Sequence, residues 1–195
     1  MAGTVRLLVV FLLLITGAFA QTSSAAQVVR LPDLDNKLVN PFESVAATSG
    51  TVFVFTSVDC PISNRYAPEI KRLHDAFASR GIAFWLVYPN PRESATQVRA
   101  HLKDFGYPIP ALRDPSHELA KLAKATVTPE AAVYDRRGTL VYHGRIDDRY
   151  VSLGVERPAA TRHDLQDALT AVVAGKSVPT PAQPGVGCFI ADFVP

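Results

Sequence analysis

The sequence lacks several patterns that identify common classes of protein. It has no block of basic residues and no interleaving of basic with aromatic residues, so nucleic acid is not expected as a partner. The five histidines show none of the spacings of a zinc or haem site, and no metal or other cofactor is expected. No internal repeat and no low-complexity block occurs. With 20 basic against 18 acidic residues, the chain is close to neutral.

The main hydrophobic run stands at the amino terminus and is too short to span a membrane. Arg6 precedes the apolar run from Leu7 to Ile15, and the small residues at 18 and 20 fit an A-x-A cleavage site. The apolar stretch has about 14 residues, whereas a spanning helix needs about 20. The pattern predicts a secretory signal peptide over residues 1–20. The mature chain would then begin at Gln21, be periplasmic or secreted, and have no stable membrane insertion.

The chain contains only two cysteines, Cys60 and Cys188. In an exported protein such a pair is first interpreted as a structural disulfide. Closing so long a loop would stabilise the fold by about 5 kcal/mol in the chain-entropy model. A permanent disulfide, a redox-active pair and two unpaired thiols all remain open at this point.

The hydrophobic pattern predicts alternating strands and helices. The predicted elements are strands at 28–31, 51–56 and 82–88, a helix from the Cys60 segment to about 79, helices at 92–105 and from 114 to about 125, hairpin strands at 131–134 and 139–146, and a helix at 161–174. A β-α-β half needs a helical crossover, whereas the last two strands join by a tight turn. The fold class is therefore α/β, with a mixed central sheet and helices on both faces. We expect one domain over 21–176, with an N-terminal extension to about 50, and a proline-rich tail over 177–195 that carries Cys188.

Cys60 directly follows the predicted central strand and begins a predicted helix. The segment Cys60-Pro61-Ile62-Ser63 is followed by Pro68, and Thr128-Pro129 precedes the predicted hairpin. These residues resemble the thioredoxin-like redoxins, particularly the exported thiol-disulfide oxidoreductases of the TlpA and ResA kind and the related peroxiredoxins of the alkyl hydroperoxide reductase and thiol-specific antioxidant type. In thioredoxins a C-x-x-C motif is followed five residues later by a helix-kinking proline. The resemblance covers residues 28–175 and implies a thioredoxin fold, with Ser63 in place of the second cysteine.

The resemblance also implies roles for the residues around the thiol. Pro129 is expected to be a cis-proline facing Cys60, and Thr128 to offer its backbone to an extended substrate. Pro61 is expected to contact substrate as well. A thiol at a helix N-terminus has a lowered pKa, because unpaired N–H groups favour the thiolate. Ser63 can donate a hydrogen bond to the Cys60 sulfur, or it can be a plain N-cap, but it cannot close a disulfide.

The leading functional hypothesis is thiol-disulfide exchange with Cys60 as the nucleophile. A lone thiol forms a mixed disulfide, whose release requires a second thiol. Cys188 lies about twelve residues beyond the last predicted helix, and an extended chain of that length reaches about 37 Å at 3.1 Å per residue. Cys188 is therefore a hypothetical resolving thiol. Expected partners are protein or small-molecule disulfides and thiols, and a redox donor protein.

Two alternative functions remain open. In peroxide reduction, Cys60 would become a sulfenic acid with which Cys188 condenses. Peroxiredoxins present P-x-x-x-T-x-x-C, whereas Thr56 stands four residues before Cys60 and no matching proline is present. A module that binds copper or a partner without turnover is the other alternative, because copper chaperones of related fold combine cysteines with a distant histidine. His143 would be that histidine, although the C-x-x-x-C motif of those proteins is absent.

Overall fold

The computed structural model describes residues 28–43 and 47–193. The predicted signal peptide, residues 1–20, lies outside the described residues. No helix within the described ranges is long and apolar enough to cross a membrane.

A six-stranded mixed sheet forms the centre of the domain. The strands are β1 (Leu31–Pro32), β2 (Leu38–Val39), β3 (Gly50–Phe55), β4 (Ile82–Tyr88), β5 (Ala111–Arg113), β6 (Val127–Thr128), β7 (Glu130–Asp135), β8 (Leu140–Gly144), β9 (Tyr150–Ser152), β10 (Val155–Glu156), β11 (Ala182–Gln183) and β12 (Cys188–Phe189). The helices are α1 (Pro61–Arg65), α2 (Ala67–Phe77), α3 (Ala95–Phe105), α4 (Glu118–Ala123) and α5 (Asp164–Val173). The order in the large sheet is β11-β8-β7-β3-β4-β5. Strands β3, β4 and β5 are parallel, and β7 runs antiparallel to both β3 and β8.

The central strand β3 is buried on both faces, as its β-branched and aromatic sequence predicts. Val52 and Val54 pack in the hydrophobic cluster that contains residues of α2, α3 and α5. Phe53 and Phe55 pack in a second cluster that contains residues of α4. Because alternate residues of a strand face opposite sides, the two clusters lie on opposite faces of the sheet. The predicted mixed α/β fold is confirmed.

The sequence predicts one continuous helix after Cys60. The structure instead has two helices, α1 and α2, with a break at Tyr66. Pro68 has no N–H to donate to the carbonyl group of Asn64, four residues earlier, so a regular helix cannot continue through this point. The predicted buried face of α2 is confirmed, with Ile70, Leu73 and Phe77 each at most 3% exposed. A short 3-10 turn follows the helix and ends at the predicted stop, a glycine at 81 with φ of 86°.

Three later helices, α3, α4 and α5, begin further along the chain than the sequence predicts, and α5 begins at Asp164 instead of at residue 161. Helix α3 starts at Ala95 because Ser94 caps it, and Ser94 and Gln97 form a reciprocal capping box. Helix α4 starts at Glu118, although Asp114 was the predicted N-cap. The Asp114 carboxylate still accepts hydrogen bonds from the N–H groups of residues 118 and 120, at 2.8 Å each. Asp114 therefore accepts hydrogen bonds from the first turn of α4 although it lies in the turn before the helix.

The segment after α5 packs along the domain and adds two strands that the sequence did not predict. Strand β11 joins the edge of the large sheet in parallel with β8. At this contact Gly144 has a φ of 134°, and a Cβ there would lie 1.7 Å from the Gln183 carbonyl oxygen. Strand β12 pairs antiparallel with β6. The tail thereby crosses from the sheet edge to the loop that contains Thr128.

Candidate active site

Cys60 lies at the N-cap position of α1 with extended backbone dihedrals, φ −84° and ψ 109°. Its side chain is 2% exposed. In the thiol form Sγ donates to the Thr128 carbonyl oxygen, 3.1 Å away. The Thr128–Pro129 peptide bond is cis, as the resemblance implied. Two segments separated by 68 residues in sequence therefore meet at this sulfur.

Cys188 lies on β12 in the C-terminal tail, next to Cys60. It stands opposite Thr128 in the antiparallel pairing of β12 with β6. The Thr128 hydroxyl group also lies 3.5 Å from the Cys188 carbonyl oxygen, to which it donates. Both thiols are free, and the Cys188 thiol lies close enough to the Cys60 sulfur to lower the pKa of Cys60. The pairing with β6 thus fixes the position of Cys188 beside Cys60.

The two thiols have opposite electrostatic environments. Burial raises the pKa of Cys60, but hydrogen bonds from the Cys188 thiol, from Ser63 and from nearby backbone N–H groups outweigh burial, so the pKa lies below its ordinary value. Burial and the neighbouring Cys60 raise the pKa of Cys188 to about 12. When the pair loses its first proton, Cys60 is therefore the thiolate and Cys188 keeps its proton.

Ser63 lies inside α1 and is fully buried. The interpretation of Ser63 as a plain N-cap is wrong, because Cys60 itself occupies the N-cap position. The Ser63 hydroxyl group makes no hydrogen bond of standard geometry to the described residues. It nevertheless lies close enough to the Cys60 sulfur to lower its pKa, and so does the Ser63 backbone N–H. The hydroxyl can rotate toward the thiolate when one forms.

Pro61 lies at the first position of α1 and is exposed. With Ile62, Arg65 and Tyr150 it lines an open cleft at the surface. Pro61 can therefore contact a partner at the surface, whereas Thr128 and Cys60 are covered by the tail.

A buried glutamate, whose role no sequence pattern predicts, holds the loop that precedes Cys60. Glu93 is 2% exposed. Its Oε1 atom accepts from the Ser57 hydroxyl group at 2.6 Å and from the Val58 N–H at 2.8 Å. Because a glutamate in a polar connecting segment resembles any solvated side chain, only the fold reveals this contact.

A second buried network reaches the same loop from α3. Asn64 donates through Nδ2 to the Val58 carbonyl oxygen at 3.1 Å, so its Oδ1 is left to accept from His101 Nε2 at 2.8 Å. The other ring nitrogen of His101 then accepts from the Tyr88 hydroxyl group at 2.8 Å. Burial lowers the pKa of His101, which favours this neutral form. The spacing of His101 three residues after the buried Val98 was a sequence signal for this position.

The structure does not bring His143 into a group with the cysteines. Among the described residues, three side chains lie close enough together to hold a metal ion: Glu69, Asp147 and His163. Glu69 pairs with an arginine, and Asp147 accepts from a tyrosine hydroxyl group. This group includes neither cysteine, so it does not supply the soft ligands that Cu(I) prefers.

Comparison with known proteins identifies the family. Residues 23–143 match the AhpC/TSA family. A hypothetical protein from Sinorhizobium meliloti 1021 is 31% identical with a TM-score of 0.74, covering 87% of this chain and 93% of that chain. An uncharacterized conserved protein from Geobacillus kaustophilus is 29% identical with the same TM-score, covering 87% and 90%.

A more distant structure shares the thioredoxin-like fold. It is a secreted Mycobacterium tuberculosis disulfide oxidoreductase homologous to E. coli DsbE, 18% identical with a TM-score of 0.52, covering 75% of this chain and 95% of that one. A search of the curated proteins gives no significant match. The family match spans more than half of the sequence. The chain therefore belongs to the AhpC/TSA family, with a thioredoxin-like fold.

Proposed function

We propose that this protein is an exported thiol-disulfide oxidoreductase in which Cys60 is the nucleophile and Cys188 is the resolving thiol. One observation carries the proposal: β12 places Cys188 opposite Thr128, whose carbonyl oxygen accepts a hydrogen bond from the Cys60 thiol. Export rests on the signal-peptide pattern of residues 1–20. The secreted disulfide oxidoreductase with the same fold supports both parts of the proposal.

The reaction proceeds in two exchange steps. The Cys60 thiolate attacks one sulfur of a substrate disulfide, and the other substrate sulfur leaves as a thiol after taking up a proton. Cys188 then loses its proton and attacks the Cys60 sulfur of the mixed disulfide, which releases the second substrate thiol. The substrate disulfide gains two electrons, and the Cys60–Cys188 pair is oxidised to a disulfide. A dithiol reductant, such as a redox donor protein, returns the pair to its starting state.

Ser63 supports the first step by lowering the pKa of Cys60, and Thr128 and Pro129 form the loop that an extended substrate would contact. The Thr128 carbonyl group and the Ser63 hydroxyl group face the reactive sulfur, and the cis-proline brings Thr128 to it. The backbone of Thr128 is already paired with the tail. An extended substrate that pairs with Thr128 must therefore displace β12, and it can also contact the exposed Pro61.

Peroxide reduction is a second candidate, which the burial of the thiol favours. Cys60 is 2% exposed beneath β12, so a small oxidant can reach it with less movement of the tail than a protein disulfide requires. Cys60 would become a sulfenic acid with loss of water or an alcohol, and Cys188 would condense with it to give a disulfide and water. This activity would be antioxidant.

Parallel assays of the mature protein, from Gln21 onward, separate these functions. Insulin disulfide reduction, hydrogen peroxide consumption and Cu(I) titration are each measured for wild type, Cys60→Ser and Cys188→Ser. We expect Cys60→Ser to abolish insulin reduction. In Cys188→Ser we expect the reaction to stop after the first step, with a mixed disulfide between Cys60 and the substrate. Activity on peroxide but not on insulin supports the second candidate, and Cu(I) retention without turnover supports a binding module. Full activity of Cys60→Ser would refute both redox proposals.

Peptide mapping under non-reducing conditions tests the pairing itself. We expect a Cys60–Cys188 link after oxidation, with both thiols free after treatment with dithiothreitol. A link that resists dithiothreitol in the folded protein indicates a permanent disulfide. A Cys188 thiol that stays free under all conditions contradicts its role as resolving thiol.

A further inference from the structure

Glu93 is a buried acid that the exchange reaction described above does not use. Its Oε1 atom accepts the hydrogen bonds from Ser57 and Val58. Its Oε2 atom is buried and makes no hydrogen bond of standard geometry to the described residues, although the Asn90 side chain lies close enough to the carboxylate to lower its pKa. A buried carboxylate oxygen without such a hydrogen bond is unfavourable, and this favours uptake of a proton. Burial chiefly, and the charge of Asp59 in addition, raise the pKa of Glu93.

Ser57 connects Glu93 to a small cavity beside Cys188. The cavity has a volume of about 40 Å³. It is lined by Ser57, Pro89, Asn90, Thr128, Cys188, Phe189, Ile190 and Ala191. Since roughly 15 Å³ is enough for one water molecule, the cavity can hold one. The Ser57 hydroxyl group donates to Glu93, so its lone pairs are free to accept a hydrogen bond from that water.

The second exchange step requires a proton acceptor for Cys188. In the reduced protein the Cys188 thiol lies next to the Cys60 sulfur, and burial together with Cys60 raises the pKa of Cys188 to about 12. Once Cys60 has formed a mixed disulfide, it is neutral and is no longer a good acceptor. Cys188 is the sole titratable residue that lines the cavity. The hydrogen bond from Ser57, which also lines the cavity, leads to the carboxyl group of Glu93.

We propose that Glu93 accepts the Cys188 proton, through Ser57 and one cavity water, when Cys188 attacks the mixed disulfide at Cys60. This inference rests on the proposed thiol-disulfide exchange. One proton passes from the Cys188 thiol to the water, one from the water to Ser57 and one from Ser57 to Glu93. The Cys188 sulfur bonds to the Cys60 sulfur, and the substrate sulfur leaves with the electron pair of the broken bond. Glu93 afterwards returns its proton to solvent.

The other charged and titratable groups around Glu93 do not provide this route. Asp59, in the same loop as Ser57, is exposed, and its negative charge favours the protonated form of Glu93. Arg113 on β5 donates through Nε to the main-chain carbonyl group of Glu93 at 3.1 Å. Tyr88 on β4 has a strongly raised pKa and stays neutral. His101 uses both ring nitrogens in hydrogen bonds, and its network ends at Val58, away from the cavity.

The test uses 5,5′-dithiobis(2-nitrobenzoate), which releases one coloured thiolate in each exchange step. With one equivalent of the reagent, so that Cys188 cannot react with a second reagent molecule, the first release reports the attack by Cys60 and the second reports resolution by Cys188. Stopped-flow absorbance is recorded between pH 5 and 9 for reduced wild type, Glu93→Gln and Ser57→Ala. Gln keeps an oxygen that can accept both hydrogen bonds of the loop but cannot take up the proton. Glu118→Gln removes an exposed glutamate on α4 and serves as the matched control.

In Glu93→Gln we expect the second phase to slow about 100-fold at neutral pH, the range found for general bases. Its rate should lose the inflection that wild type shows at the pKa of Glu93, while the first phase changes less than about twofold. Ser57→Ala should slow the second phase as well, and Glu118→Gln should match wild type. A wild-type second phase in Glu93→Gln, with the same pH profile, overturns the inference. So does equal slowing of both phases, because Glu93 would then only hold the loop.

The outcome for wild type distinguishes this inference from the function on which it rests. If wild type releases only one coloured thiolate, Cys188 does not resolve Cys60 and the exchange mechanism itself is wrong. If wild type shows two phases, the exchange mechanism stands, and Glu93→Gln decides the role of Glu93. Glu93→Ala, which also removes the loop contacts, shows what a purely structural defect does to the first phase.

Discussion

Substituting Gly187 tests whether β12 protects the reactive thiol. A Cβ at this position would lie 2.1 Å from the Thr128 carbonyl oxygen and 2.6 Å from its carbonyl carbon. Both are backbone atoms of the loop that contains the cis-proline, so a side chain at 187 cannot be accommodated by a change of rotamer. In Gly187→Ala the tail must therefore move away from β6.

The size of the effect follows from the contacts that the tail would lose. The short β12–β6 pairing contributes about two backbone hydrogen bonds of roughly 1 kcal/mol each. Loss of about 2 kcal/mol raises the population of the open tail about 30-fold, since 1.4 kcal/mol corresponds to a factor of ten. Cys60 is 2% exposed, so a reagent reaches it only through such openings. We therefore expect Cys60 in Gly187→Ala to react about 30-fold faster.

Alkylation of the reduced protein by iodoacetamide measures this rate, and mass spectrometry of the peptides distinguishes Cys60 from Cys188. The matched control is Phe189→Ala on the same strand, whose side chain is 83% exposed and does not hold β12 in place. We expect the control to stay within about twofold of wild type. If Gly187→Ala protects Cys60 as well as wild type does, β12 is not the cover of the thiol.

Three further predictions concern the pair of thiols and the fold around it. Cys188→Ala removes a hydrogen bond that lowers the pKa of Cys60, so the thiolate absorbance near 240 nm should appear at higher pH than in wild type. Burial raises the pKa of Asp114 from 3.8 to about 6. Because the folded-state pKa is the higher one, the stability of wild type relative to Asp114→Asn should be greatest below pH 3.8. It should fall by about 3 kcal/mol as the pH rises through 6, measured by urea unfolding at each pH. Asn64→Leu leaves the Val58 carbonyl group without its donor and should lower the free energy of unfolding by about 2 kcal/mol in the same assay.

The features that could be predicted from the sequence are those with strong local patterns. Thr51 to Phe55 is a continuous β-branched and aromatic run, and it forms the buried central strand. The cis-proline at 129 followed from the family resemblance, because Thr128-Pro129 stands directly before the predicted hairpin, where that family has its cis-proline. In these cases the residues that determine the structure are the residues that carry the pattern.

The unpredicted features depend on contacts between distant segments. Strand β12 exists because the edge of β6 accepts it, and no periodicity in a two-residue strand reveals such a partner. The role of Glu93 depends on Ser57, 36 residues earlier in the chain. Its sequence neighbours are polar, and its burial follows only from the packing of the loop after β4. At this site, a single sequence does not show which residues that are far apart in the chain come into contact.

The position of the second thiol gives this site a property that a C-x-x-C motif does not have. When both cysteines belong to one helix, the resolving thiol is always next to the first. Here Ser63 occupies that position, and Cys188 is brought in by a short strand that also covers Cys60. Opening of the tail therefore exposes the nucleophile and removes the resolving thiol at the same time. In Gly187→Ala the attack by Cys60 on a disulfide should become faster while the resolution by Cys188 becomes slower. If both steps change in the same direction, access and resolution are not controlled by one tail movement.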